Sequence, residues 1–145
     1  MSLASILLLH GPNLNLLGTR EPDVYGSETL EDHVQRVRTA ASARGASVEA
    51  VQSNSEATLV EAVHAARGTH DAIIINAGAF THYSWALHDA LRSFEGPVIE
   101  VHLSNPTARE QFRHVSVLAT VVDGTIAGFG GLGYELAVAA LVSRT

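Results

Sequence analysis

Residues 6–26 read ILLLHGPNLNLLGTREPDVYG, a short apolar run followed by a long loop of turn-forming residues. The run, Ile6 to Leu9, is too short for a helix and is typical of a fully buried strand. The loop, His10 to Gly26, contains two prolines, three glycines and two asparagines. In an open α/β sheet, ligands bind where such a loop leaves the carboxyl end of a strand. The stretch therefore predicts an α/β fold with a binding loop after its first strand.

Length and composition indicate one compact globular domain, residues 1–145. The chain has 145 residues, of which 46% are hydrophobic and 17% charged, and this is enough to bury a sizeable core. No basic residue precedes the apolar run, and the run ends at once in a His-Gly-Pro turn. Neither a signal peptide nor a membrane span is therefore expected. The sequence predicts a cytoplasmic protein with no membrane partner.

The absence of two residue types narrows the chemistry. All nine cationic side chains are arginine, and the chain has neither lysine nor cysteine. A Schiff-base lysine, a cysteine nucleophile, a thiolate metal site and a phosphate loop of the Gly-Lys-Ser type are therefore excluded. The net charge of −6 argues against nucleic acid as a partner. Two or three arginines would still suffice to hold a small anion.

Strand and helix patterns alternate along the chain. Strands are predicted at residues 5–9, 47–52, 72–75, 98–103 and 125–127. Five helices are predicted. The first begins at an N-cap at Ser27 and ends at about Arg44, and the second follows a cap at residues 53–55. The others run from Ser84 to Phe94, around Arg109 and Arg113, and from Tyr134 to about Val142. Residues 114–122 fit either a strand or irregular structure.

This alternation predicts a doubly wound parallel sheet. Five strands favour the flavodoxin-like order 2-1-3-4-5, with helices on both faces of the sheet in a three-layer sandwich. The last predicted helix is apolar nearly all round. Such a helix is usually buried, which points to a subunit interface.

Polar side chains collect where the predicted strands end. Those after the first four strands are Asn13 and Asn15, Ser53 and Asn54, Asn76 and His82, and His102 and Ser104. In a parallel sheet these ends share one edge, so the side chains converge on one crevice. The sequence therefore predicts a polar binding site at the carboxyl edge of the sheet.

The fourth predicted strand carries an acid–base pair. Glu100 and His102 are two residues apart, so both side chains lie on the same face of the strand. A carboxylate beside an imidazole holds its tautomer and favours its protonated form, which suits a general acid near neutral pH. The alternative is a buried ion pair with a structural role only.

The opening loop carries a tyrosine and an arginine. Tyr25 follows Arg20 by five residues, and a nearby guanidinium favours the phenolate form of a tyrosine. Because a lone tyrosine in a loop more often serves packing than catalysis, its role as a base depends on the surrounding sequence, Arg-Glu-Pro-Asp-Val-Tyr.

Two further patterns carry no predicted site. Residues 128–133, GFGGLG, match the dinucleotide fingerprint, but the fingerprint belongs to a first βαβ unit with an acidic residue about 20 positions later. A tight turn into the last helix is the better interpretation. Of the eight histidines only His82 and His102 are placed to meet, and no cluster has a known ligand spacing, so no metal is expected.

With these residues identified, the chain resembles the type II dehydroquinases (3-dehydroquinate dehydratases) from Leu7 to Leu141. Five blocks carry the resemblance: GPNLNLLG at 11–18 with Arg20-Glu21-Pro22 and Tyr25-Gly26; QSNSE at 52–56; NAGA at 76–79 with Thr81-His82 and Ser84; EVHLSN at 100–105 with Arg109-Glu110 and Phe112-Arg113; and GFG at 128–130 with Gly133-Tyr134. Because all five blocks occur in the same order, the resemblance is specific. The chain departs at Val117, where an aromatic residue is common, and matches loosely over residues 115–122.

The resemblance implies trans dehydration of 3-dehydroquinate to 3-dehydroshikimate through an enolate. It implies no metal, cofactor or Schiff base, and a place in aromatic biosynthesis or quinate breakdown. Tyr25 would be the base, its phenolate favoured by Arg20 on a mobile lid. His102, oriented by Glu100, would protonate the departing hydroxyl. Asn13 would hold the water that stabilises the enolate oxygen.

The resemblance also implies how substrate binds and how subunits assemble. Substrate contacts fall on six residues: Leu103 and Ser104 at the carboxylate, Asn76, His82 and Arg113 at the ring hydroxyls, and Asp89 from a neighbouring subunit. The implied assembly is a homo-oligomer in which trimers share their sites and four trimers form a dodecamer.

Three other functions fit a fold of this kind. A flavodoxin-type electron carrier needs a hydroxyl-rich phosphate loop, which Gly11 to Asn15 does not supply. A phospho-acceptor signalling domain needs a lysine at the strand ends, and this chain has none. A binding protein for a polyhydroxylated acid stays open, because an intact set of site residues does not prove turnover.

Overall fold

The computed structural model describes residues 2–145. Strands and helices alternate along this part of the chain, as the sequence predicts. The strands are β1 Ser5–His10, β2 Ser47–Gln52, β3 Ala72–Asn76, β4 Val98–His102 and β5 Gly124–Ala127. The α-helices are α1 Pro22–Tyr25, α2 Leu30–Ser42, α3 Glu56–Ala66, α4 Trp85–Arg92 and α5 Leu132–Arg144.

The strands form one parallel sheet in the order β2-β1-β3-β4-β5. Helices α2 and α5 pack on one face, and α3 and α4 pack on the other. The predicted flavodoxin-like fold class, with helices on both faces, is therefore confirmed. His10 pairs with both Gln52 and Asn76, so β1, β2 and β3 end in one row. The loops that follow the strands consequently open at one edge of the sheet.

Strand β1 shows why the sequence folds into this sandwich. Ile6 and Leu8 belong to the core under α2 and α5, and Leu7 and Leu9 belong to the core under α3 and α4. Successive side chains of a strand point to opposite faces. A strand covered on both faces therefore needs a continuous apolar run, which is what residues 6–9 supply.

Helix α2 begins later than predicted. The sequence predicts an N-cap at Ser27, but the cap is Thr29, whose side-chain oxygen accepts a hydrogen bond from the Asp32 N–H at 3.2 Å. Asp32 accepts in return from the Thr29 N–H at 2.9 Å. This reciprocal capping box satisfies two backbone donors at once, which a cap at Ser27 alone does not achieve.

The segment after β4 is not the predicted short helix. Two 3₁₀ helices, Pro106–Ala108 and Gln111–Arg113, replace it, and Arg109 lies between them. The Asn105 carboxamide oxygen accepts from the Thr107 N–H at 3.2 Å and starts the first of these turns. Residues 114–122, left open by the sequence, contain one 3₁₀ helix, Ala119–Val121, and no strand.

The opening loop is more ordered than the sequence predicts. It contains a 3₁₀ helix, Leu14–Leu16, and the single-turn helix α1, which begins at Pro22 and ends at Tyr25. Proline is favoured at the first position of a helix because its missing N–H has no partner there in any case. Helix α1 thus presents Tyr25 from a short helical turn.

Helix α5 is only half buried in this chain. Its inner face includes Tyr134, Ala137, Val138 and Leu141, whereas Leu136 on the other side is 40% exposed. The single chain therefore buries only one face of this apolar helix, and the subunit interface that the sequence predicts for it stays a prediction. Within residues 2–145, no helix has both the length and the apolar character that crossing a membrane requires.

Gly11 brings the loops after β1 and β3 into direct contact. Its N–H donates to the Asn76 carbonyl at 2.9 Å. A Cβ atom added at Gly11 would lie 2.0 Å from the Ala77 carbonyl oxygen. Only glycine allows so close an approach of two backbones. The relative position of two site-forming loops therefore depends on this residue.

We expect Gly11→Ala to lower the free energy of unfolding by about 3 kcal/mol, because a methyl group that meets backbone cannot be accommodated by a side-chain rotation. Gly124→Ala is the matched control, since its added Cβ would meet only Ile99 Cδ1, at 3.9 Å. Urea unfolding at one protein concentration measures both variants. Equal stability of the two variants would contradict the steric argument.

Candidate active site

A cleft opens at the carboxyl edge of the sheet, where the loops after β1, β3 and β4 meet. Most of the predicted site residues line it: Asn13, Arg20, Tyr25, Asn76, His82, His102, Leu103, Ser104 and Arg113. Glu100 is fully buried behind His102, and Asp89 lies outside the cleft on α4. The predicted convergence at the sheet edge is thus present for the loops after three strands.

The loop after β2 supports the cleft without lining it. Asn54 Oδ1 accepts a hydrogen bond from the Asn13 N–H at 3.0 Å, and Gln52 Nε2 donates to the Gly11 carbonyl at 3.2 Å. Asn13 has a φ of 68°, a left-handed conformation that asparagine tolerates better than most residues. Asn54, one of the two polar residues predicted after β2, therefore holds the first loop in place together with Gln52 at the end of the strand.

The carboxylate of Glu100 is buried and fully engaged in hydrogen bonds. Its Oε2 lies 2.9 Å from His102 Nε2 and accepts from Thr81 Oγ1 at 3.1 Å. Ser116 Oγ donates at 2.9 Å and Thr125 Oγ1 at 3.3 Å. Burial raises the pKa of Glu100, but the hydrogen bond and charge of His102, with the hydroxyl donors, outweigh it and lower the pKa overall. Glu100 is therefore an anion that binds His102.

Tyr25 contacts two arginines in different ways. Arg109 Nη2 donates to the Tyr25 hydroxyl oxygen at 2.9 Å. The Arg20 guanidinium carbon lies 5.2 Å from the centre of the phenol ring, over its face. Arg20 is therefore near Tyr25, as predicted, but the hydrogen bond to the hydroxyl comes from Arg109.

Arg109 is a site residue that the sequence patterns did not predict. Its guanidinium bridges Tyr25 to Ser104, because Nη1 donates to Ser104 Oγ at 3.1 Å. Tyr25 and Arg109 are separated by 84 positions, so no local pattern connects them. The available signal was its position in the turn after β4, at the edge where the other polar residues collect.

Asn76 and His82 reach the cleft from the end of β3. Asn76 Oδ1 accepts from the Gly78 N–H at 3.3 Å, and Nδ2 donates to the Tyr134 hydroxyl at 3.1 Å. His82 Nδ1 donates to the Val115 carbonyl at 2.8 Å. This leaves Nε2 of His82 as the ring nitrogen that can meet a ligand.

Leu103, Ser104 and Arg113 line the cleft from the segment after β4. The Leu103 carbonyl accepts from the Gly130 N–H at 3.0 Å, which ties this segment to the glycine-rich turn before α5. Arg113 Nε pairs with Glu110 at 2.8 Å. Its remaining guanidinium donors stay available for a ligand.

Asp89 is distant from the chemistry of its own chain. Its side chain is 80% exposed, and its carboxylate accepts a hydrogen bond from His88 Nδ1 at 3.0 Å. It does not line the cleft. Within residues 2–145, no group of three or more metal-ligating side chains is assembled, and His82 and His102 share the cleft without further ligands.

The chain is similar to known proteins over nearly its whole length. Residues 4–142 match the sequence family described as dehydroquinase class II. The chain is 57% identical over 142 residues to a 3-dehydroquinate dehydratase of Ruegeria pomeroyi, which covers 98% of this chain and 95% of the relative.

Solved structures agree with the sequence match. The type II dehydroquinase of Butyrivibrio crossotus has a TM-score of 0.92 and 43% identity, covering 95% of this chain and 97% of that one. The type II dehydroquinase of Propionibacterium acnes also has a TM-score of 0.92 and 43% identity, with 99% of each chain covered. The resemblance identified from the sequence blocks is therefore confirmed, and the chain belongs to the class II dehydroquinase family.

Proposed function

We propose that this chain is a 3-dehydroquinate dehydratase, a hydro-lyase that removes water from 3-dehydroquinate by anti elimination to give 3-dehydroshikimate. Its relatives are named for this activity. The observation that carries the proposal is that one cleft holds an arginine-bound tyrosine and a carboxylate-bound histidine. These are the base and the acid that an elimination requires.

Tyr25 is the base in this proposal. Arg109 donates a hydrogen bond to its hydroxyl oxygen, and the guanidinium of Arg20 lies over its ring. The phenolate oxygen takes a proton from C2 of the substrate, beside the ketone, and the electron pair moves into the carbonyl to form an enolate. Asn13, which lines the same cleft, holds a water that donates to the enolate oxygen.

His102 is the acid. The buried carboxylate of Glu100 binds Nε2 of His102 and orients the ring, which leaves Nδ1 for the cleft. As the enolate collapses, the C1–O bond breaks, and His102 transfers its proton to the departing oxygen so that water leaves. The phenol of Tyr25 then releases its proton to solvent, and His102 takes up a proton from solvent, which restores both residues for the next turnover. No lysine is available for an alternative imine mechanism.

The remaining cleft residues bind the substrate. The Leu103 N–H and the Ser104 hydroxyl bind its carboxylate, and Arg109 beside Ser104 adds a positive charge. Asn76, His82 and Arg113 contact the ring hydroxyls. Hydrogen-bond donors dominate this set, which suits a polyhydroxylated anion.

Asp89 completes the site of a neighbouring subunit in this proposal, so the working unit is a trimer, and four trimers form a dodecamer. Its exposure and its absence from its own cleft support this role. Tyr83 and Trp85, on the same segment, are 58% and 62% exposed. Exposed aromatic side chains beside one another are typical of a protein interface.

Three wider properties belong to the same proposal. Residues 1–145 form one catalytic domain, since the two cores lie on opposite faces of a single sheet. The protein is cytoplasmic and needs no cofactor. Its reaction serves the shikimate pathway of aromatic amino acid biosynthesis or the breakdown of quinate.

Ultraviolet absorbance after mixing the protein with 3-dehydroquinate tests the activity directly, because the product contains a conjugated enone. We expect absorbance to rise at the same rate with and without a chelator. A folded protein that forms no product would favour the binding-protein alternative. Loss of activity with chelator would show that a metal takes part.

We expect Tyr25→Phe and His102→Ala each to lower kcat by about 10²- to 10⁴-fold, the usual contribution of a general acid or base. Substrate binding, measured by calorimetry, should survive, since both residues act on protons. His64→Ala, at an exposed position on α3, is the control. Near-normal turnover in either site variant would remove that residue from the mechanism.

We expect Asp89→Asn to lower activity although Asp89 lies outside its own cleft. Glu61→Gln, an exposed carboxylate on α3, should leave activity unchanged. Mixed oligomers of Asp89→Asn and His102→Ala subunits should regain activity, because a cleft with intact His102 then receives Asp89 from its neighbour. Mixtures that stay inactive, or a fully active monomer, would contradict a shared site.

A further inference from the structure

Behind Asn76 lies a buried polar chain that the proposed reaction does not use. Tyr134 extends from α5 into the core and is fully buried. Its hydroxyl accepts from Asn76 Nδ2 at 3.1 Å and lies 2.8 Å from Nε2 of His10, which is also buried. These hydrogen bonds therefore connect three side chains, from Asn76 at the cleft through Tyr134 to His10 at the end of β1.

Only one arrangement of the hydrogens lets the Tyr134 hydroxyl both accept from Asn76 and donate to His10. Burial, and secondarily the charge of His33, lowers the pKa of His10 to about 3, so its ring is neutral at pH 7. Burial raises the pKa of Tyr134, so its hydroxyl keeps its hydrogen. Because Asn76 Oδ1 accepts from Gly78, the atom that faces Tyr134 is Nδ2, which can only donate. Tyr134 must then donate to Nε2 of His10, whose hydrogen is on Nδ1.

These contacts hold the carboxamide of Asn76 in one orientation. A flipped amide would place Nδ2 against the Gly78 N–H, so that two donors would meet without an acceptor. It would also require the Tyr134 hydroxyl to turn from His10 to Oδ1 and the hydrogen of His10 to move to Nε2. Because a buried donor without an acceptor lowers stability, the observed orientation is favoured. One N–H of Nδ2 and the second lone pair of Oδ1 remain for a ligand, in a fixed arrangement.

We propose that Tyr134 and His10 are positioning residues, which fix the orientation of the Asn76 carboxamide and so determine which hydroxyl pattern the cleft accepts. The proposal rests on the proposed function, because it assigns Asn76 to the substrate's ring hydroxyls. A site that hydrogen-bonds a hydroxyl strongly rejects analogues that lack it, provided that its own polar groups cannot rearrange. The chain from Asn76 to His10 supplies that constraint from outside the cleft.

His33 packs against the same phenol ring but takes no part in the hydrogen bonds. Its ring stacks on Tyr134 with centroids 5.2 Å apart and an interplanar angle of 29°. Neither of its ring nitrogens has a hydrogen-bond partner within the part of the chain that the structure describes. His33→Leu therefore changes the packing around Tyr134 and leaves the chain of donors intact, which makes it the matched control.

Steady-state kinetics with 3-dehydroquinate test the proposal. Tyr134→Phe should raise KM about tenfold and change kcat by less than about threefold, since it disturbs a binding group. In an Asn76→Ala background, Tyr134→Phe should add less than about twofold, because its effect passes through Asn76. His33→Leu should stay within about twofold of the unchanged enzyme. Independent, multiplicative effects of Tyr134→Phe and Asn76→Ala would overturn the proposal.

Nitrogen-15 NMR of the histidine rings gives a second test that needs neither turnover nor a variant of Tyr134. His10, assigned from its loss in a His10→Asn variant, should be neutral at pH 6 and protonated on Nδ1. An Nε2-protonated ring would overturn the proposal even if the enzyme is active. An unchanged enzyme that forms no product, with His10 in the expected tautomer, would reject the proposed activity and leave the positioning chain supported.

Discussion

The buried carboxylate of Glu100 is the interaction on which the rest of the site depends. A fully buried anion is costly unless charge and hydrogen bonds compensate it. The compensation comes from four segments: His102 on β4, Thr81 after β3, Ser116 in the irregular segment, and Thr125 on β5. Satisfying one carboxylate therefore aligns the strand that carries the acid with β5, with the segment after β3 and with the irregular segment around Ser116.

The proposed acid and base are held by contrasting structures. His102 ends a central strand and is held by a buried anion, so its position follows that of the sheet. Tyr25 ends a single-turn helix with no buried residue, and its hydroxyl is held from the opposite side of the cleft by Arg109. The acid is thus held rigidly, whereas the base is carried on a short exposed turn. This arrangement suits a site that must admit and release its ligand.

Several elements were predictable because their causes are local. The apolar runs of β1 and β3 and a cap within residues 53–55 follow from neighbouring residues. The structure has both strands and places the cap at Ser55. The predicted start of α2 was wrong because Ser27 and Thr29 are both possible caps, and only Thr29 completes a reciprocal pair of hydrogen bonds with Asp32. The turns around Arg109 were missed because a proline and an asparagine cap favour short 3₁₀ helices over one continuous helix.

The sequence by itself determined the parallel sheet, the edge at which polar residues collect, and the pairing of Glu100 with His102, since each depends on residues a few positions apart. Only the tertiary structure decided that Arg109 binds the Tyr25 hydroxyl and that Tyr134 connects His10 to Asn76. The partners in these contacts are 84, 124 and 58 positions apart. Periodicity and spacing describe neighbours along the chain, whereas these contacts arise only after the sheet and helices have packed.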